Sequence, residues 1–64
     1  MDAVLAITLC LNGDPDACRV ERLRIYDAPL IACAAPMIPQ NVNAARLVAL
    51  PGERIDKIEC EGEA

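Results

Sequence analysis

From Asp2 to Leu11, DAVLAITLCL, apolar residues fill both of the alternating sets of positions. Successive side chains of a strand point to opposite faces. One face of this stretch would carry Ala3, Leu5, Ile7, Leu9 and Leu11, and the other Val4, Ala6, Thr8 and Cys10. Neither set suits water, so the pattern predicts a central strand over about 2–11, covered on both faces. Asn12-Gly13-Asp14-Pro15-Asp16 then reads as a turn. Gly supplies positive φ, Pro fixes φ, and Asn and Asp bond to nearby backbone. Its acidic side chains lack the spacing of a calcium loop, which needs alternating ligands and a distal Glu.

Residues 18–27, CRVERLRIYD, alternate again. Leu23 and Ile25 share a face with Glu21, while Val20, Arg22, Arg24 and Tyr26 take the other. The short connection makes this the second arm of an antiparallel hairpin. Its arginines suit a sheet edge, where charge discourages stray pairing. Residues 28–38 are apolar but irregular, because Pro29, Pro36 and Pro39 forbid a continuous helix. Such a loop is expected to tuck against this domain or a neighbour. The helix is expected over 39–50, with Pro39 in its first turn and Val42, Ala45, Val48 and Ala49 as its apolar stripe. Pro51-Gly52 stops it in the order that a type II turn prefers. Residues 54–60, RIDKIEC, read as a third strand in which Ile55 and Ile58 share a face only if a bulge intervenes. Residues 61–64 form an acidic tail, expected to fray.

The expected fold is therefore a single α+β domain over 1–64, in the order β-β-α-β. A helix that returns the chain across the sheet lets the third strand lie beside the first. The spatial order becomes 2-1-3, with the apolar strand in the centre. One helix covers one face. The second face, with Val4, Ala6 and Thr8 in its middle, is left for the proline-rich loop or for another chain.

A chain of 64 residues buries so little surface that the apolar gain and the cost of ordering roughly cancel. Crosslinks, a metal or a partner are needed. Four cysteines are present, at Cys10, Cys18, Cys33 and Cys60. The 2-1-3 layout puts Cys10 and Cys18 at the turn end of the hairpin. It puts Cys33 and Cys60 at the opposite end, so the expected disulfides are Cys10–Cys18 and Cys33–Cys60. Spacing alone allows three connectivities. Free thiols and a zinc site are the alternatives. Intervals of seven, fourteen and twenty-six residues, with no His, do not resemble the close cysteine pairs of structural zinc sites. No metal or cofactor is expected.

Composition narrows function mainly by exclusion. The chain is 55% hydrophobic, with no Phe and no Trp, and its net charge is −4. An acidic chain with Tyr26 as its one aromatic offers neither phosphate neutralisation nor a stacking platform, so no nucleic-acid binding is expected. There is no His and no Ser, which excludes His-dependent nucleophilic triads within the chain. Three glycines do not make a phosphate-cradling loop. An enzyme is not expected. No apolar run reaches membrane-spanning length, and no basic stretch precedes the first apolar run as in an export signal. Basic Arg19, Arg22 and Arg24 face acidic Glu53, Asp56, Glu59, Glu61 and Glu63 in composition, which fits an ordinary solvated surface or head-to-tail contact between copies.

Thr8-Leu9-Cys10-Leu11, Asp16-Ala17-Cys18, Cys33, Ala44-Ala45-Arg46, Pro51-Gly52 and Ile55 with Cys60 form a layout spanning most of the chain. It resembles a family of short, uncharacterised four-cysteine proteins from alphaproteobacteria. This chain departs from that family in lacking tryptophans in the helix and last strand and in two extra prolines before the helix. The resemblance implies a fold and a host lineage, not an activity.

The functional expectation is a non-enzymatic structural or interaction module that binds other protein chains, either copies of itself or a larger assembly. Its most concrete form is a small accessory protein of a phage or phage-like virion, such as a capsid cement or decoration protein. That setting is extracellular and oxidising without requiring an export signal. The expected contact residues are Val4, Ala6, Thr8, Arg22, Arg24, Ile31, Met37 and Ile38. The alternatives are a cytosolic thiol-redox or metal-binding regulator, and an exported small disulfide protein.

Overall fold

In a computed structural model, which describes residues 2–63, three strands form one sheet. Strand β1 spans Ala3–Leu11, β2 Asp14–Ile25 and β3 Glu53–Glu63. The sheet order is β2-β1-β3, and both pairings are antiparallel. Between β2 and β3 lie a single helical turn, α1 (Ile31–Ala34), and the helix α2 (Pro39–Val48). This is the disulfide-stapled α+β domain that the hydrophobic pattern predicts.

Burial explains the order. Ala3, Leu5, Ile7 and Leu9 on one face of β1 have no exposed surface. Leu5, Ile7 and Leu9 pack with Ala45 of α2 and Ile58 of β3, and Leu23, Ile25, Val42, Val48, Ala49 and Ile55 close the rim. Only a central strand can lose its whole side-chain row to neighbours on both flanks. The two isoleucines of β3 reach this core together through a register shift, which falls between the rows at Thr8 and Leu9. Lys57 opposes Thr8 and Ile55 opposes Leu9, so Asp56 is the extra residue. The bulge turns an imperfect alternation into a working one.

Four boundaries differ from expectation. The turn contracts to Asn12-Gly13, and β2 begins at Asp14 and ends at Ile25 rather than covering 18–27. Gly13 takes the positive φ of 85° that the tight connection requires. Leu11 pairs with Asp14 and Cys10 with Cys18, so Pro15, Asp16 and Ala17 bulge out without partners. A proline is tolerated there because no ladder bond is asked of it. Helix α2 ends at Val48, two residues early, since Ala49 already adopts extended backbone (φ −73°, ψ 137°). The residue before a proline avoids helical conformation, and Leu50 precedes Pro51.

The proline-rich segment is not wholly irregular. Its prolines leave space for the single turn α1 between Pro29 and Pro36. Finally, residues 61–63 continue β3 instead of fraying. A second register shift, at Glu61, and an ion pair from Arg22 to Glu61 hold this end to the sheet. Ala64 lies outside the described residues.

The proline-rich segment packs on the face that α2 already covers. Ala28 and Ala32 are buried against Ala3, with Ile25, Cys33 and Ile38 around them. The loop thus extends the helical layer and leaves the second sheet face open.

Candidate protein-interaction surface

The open face is built from three aligned rows. Val4, Ala6, Thr8 and Cys10 of β1 lie in the middle. Arg24, Arg22, Val20 and Cys18 of β2 stand opposite them on one side. Gly62, Glu59, Lys57 and Arg54 of β3 stand opposite them on the other. The central Val4, Ala6 and Thr8 are half-buried although no element covers them. Long charged side chains from the flanking strands shade them, because the aliphatic stems of Arg and Lys can lie along apolar surface.

One of those shades is a specific bond. Arg22 Nε lies 2.7 Å from Glu61 Oε1, so an ion pair joins the two edge strands across β1 at the level of Ala6. A small residue there leaves the room. Lys57 and Glu59 pair along β3 at 2.9 Å, and this hydrogen bond holds the Lys57 ammonium above its ordinary pKa. Arg24 has no ion pair among the described residues and lies 6.0 Å from the centre of the Tyr26 ring.

The basic strand and the acidic strand also meet on the helical side. Arg19 binds both carboxylate oxygens of Glu53, donates to the Val48 carbonyl at 3.0 Å, and contacts Glu21. Much of the charge complementarity read from composition is therefore satisfied within one chain.

The second candidate region is the proline-rich segment. Leu30, Ile31 and Met37 point outward, 77%, 54% and 53% exposed. Ile38 does not join them, because it packs into the small core around Ala3 and Ala32. The segment is held down in two ways. Cys33 is bonded to Cys60 on β3, with Cα atoms 5.0 Å apart. Asn41, itself buried, donates from Nδ2 to the carbonyls of Ala32 (3.1 Å) and Pro36 (2.9 Å).

Sequence reasoning missed Asn41, Leu47 and Leu50. Asn41 lies four residues before Ala45 and so shares its buried face, a signal masked by its polarity. Leu47 falls opposite the apolar stripe of α2 and is 88% exposed. Leu50, in the turn that follows, is exposed as well.

Chemistry of other kinds has little to build on. All four cysteines are in disulfides, Cys10–Cys18 and Cys33–Cys60. Among the described residues there is no group of three His, Cys, Asp or Glu placed to hold a metal ion, and no pocket. Among the described residues no helix is long and apolar enough to cross a membrane. Comparison with protein-family models, curated proteins and solved structures finds no match to this chain.

Proposed function

We propose that this chain is a non-enzymatic protein-binding module whose contact surface is centred on the proline-rich segment. One observation carries the reading. Leu30, Ile31 and Met37 are exposed on a segment that a disulfide and a buried asparagine fix in place. Apolar side chains on a restrained support lose little entropy when they are covered, so they favour association. The open face of Val4, Ala6 and Thr8, with Arg22 and Arg24 on its flank, offers a second, more polar area. Two disulfides are compatible with an oxidising setting. The narrower form of the proposal is an accessory protein of a phage-like particle, where such a module would sit on larger protein shells.

The test is photocrosslinking from Met37 in cells or particles that contain the protein, with the captured chain identified by mass spectrometry. A single recurrent protein chain is expected, and Leu30→Ser with Ile31→Ser, the probe kept at position 37, should abolish its recovery without lowering thermal stability. Unchanged recovery in that variant would overturn the assignment of the surface.

A further inference from the structure

The two edges of the sheet are built differently. The β3 edge carries two register shifts, at Asp56 and at Glu61, and α1 and α2 both lean against β3. Bulges and covering helices are the usual protections of an edge. The β2 edge has its one irregularity beside the hairpin turn, and from Cys18 to Ile25 its pairing with β1 is continuous. Its outer side therefore presents regular, unpaired backbone.

The disulfide tells which backbone groups face outward. Cys10 and Cys18 are directly opposite, with Cα atoms 4.0 Å apart. Such a short separation marks a non-hydrogen-bonded pair, whose N–H and C=O groups turn away from the partner strand. Cys18, Val20, Arg22 and Arg24 thus present their N–H and C=O groups to solvent along the edge.

We propose that this edge pairs with the same edge of a second copy, antiparallel and centred on Val20, to give a continuous sheet of six strands. The proposal deepens the protein-binding reading by naming one partner. Charge selects both the partner and the register. Around a two-fold axis normal to the sheet, outward-facing residues must oppose one another, so the centre falls on a single residue. Centring on Arg19 places Arg19 against its own copy, and centring on Glu21 places Glu21 against its own copy. Like charges directly opposite are unfavourable. Centring on Val20 opposes Val20 to Val20 and Arg19 to Glu21 in both directions, with Cys18 opposite Arg22. No like charges face each other. The Arg19–Glu21 contact present in each chain becomes part of a four-charge ring. The bulge carrying Asp16 comes to the end of the strand where Arg24 of the second copy lies, and neither has an ion pair among the described residues of its own chain. Val20, half-exposed in one chain, is covered at the axis.

The experiment is analytical ultracentrifugation of the oxidised protein from micromolar to near-millimolar concentration, with amide hydrogen exchange at both extremes. A species of twice the 6.9 kDa chain mass is expected, with exchange at Val20 and Arg22 slowing as concentration rises. Val20→Pro removes an outward N–H without taking a bond from β1, and Glu21→Lys sets like charges opposite Arg19. Each should weaken dimerisation by about tenfold or more. A single-chain mass at all concentrations overturns the proposal, as does a dimer that survives both variants with Val20 unprotected. Neither result bears on capture of a different chain at Met37, so the failure of self-pairing and of the broader reading are separable.

Discussion

Arg19 and Glu53 form a bidentate pair, Nε to Oε2 at 2.9 Å and Nη2 to Oε1 at 3.0 Å, that ties β2 to the start of β3. Glu53 is 6% exposed at its side chain, and it also accepts the Leu50 N–H at 2.7 Å. A further guanidinium bond, to the Val48 carbonyl, satisfies a free acceptor at the C-terminus of α2, where positive charge is favoured. One arginine thus joins an edge strand, a helix end and a turn.

Acid should loosen this joint. The Arg19 hydrogen bond, and then the Leu50 N–H, hold the Glu53 carboxyl below its ordinary pKa. The folded protein binds that proton more weakly than the unfolded chain does. The stability Glu53 contributes is therefore complete above the ordinary carboxylate range, about pH 4, and is lost as pH falls through the folded value. Thermal melts against pH should show a steeper acid loss for the native chain than for Glu53→Gln. Equal slopes would remove Glu53 from the account.

Arg19 and Arg22 should not be equivalent. Arg19→Ala strips partners from Glu53 and from a helix-end carbonyl, whereas Arg22→Ala breaks a pair whose side chains are 65% and 38% exposed. Exposed pairs contribute little. The expected order of unfolding midpoints is native, then Arg22→Ala close behind, then Arg19→Ala clearly lower.

Asn41→Leu keeps approximate size but leaves the carbonyls of Ala32 and Pro36 without their donor. Unsatisfied buried acceptors should lower stability by about 2 kcal/mol, read from urea denaturation. Asn41→Asp should do worse, since it sets an acceptor against acceptors. Hydrogen exchange in residues 31–38 should quicken in both variants while exchange in β1 changes less.

Removing either disulfide should destabilise, and by different amounts. Loop entropy gives about 2.6 kcal/mol for Cys10–Cys18 and about 3.6 kcal/mol for Cys33–Cys60. The first links residues already opposed in a ladder, and the second alone bonds α1 covalently to β3. Cys33→Ala with Cys60→Ala should therefore cost more in denaturation than Cys10→Ala with Cys18→Ala. Intact-mass measurement of the oxidised chain should find four hydrogens fewer than the thiol form.

The run of apolar residues in β1 by itself dictated a central strand. With the turn residues and the single helix, it led to the sheet order and to both disulfides. Those features follow from local pattern, because a strand apolar on both sides has few places to go. The bulge at Asp56 and the extra turn α1 needed the tertiary structure. So did the burial of Asn41 and the choice of sheet face covered by the proline-rich segment. Each depends on what another segment offers: a core position to Ile58, two carbonyls of the preceding segment to Asn41, a free helix end to Arg19. Such long-range hydrogen bonds and register shifts leave no periodicity in the chain, since they arise only when separate elements meet.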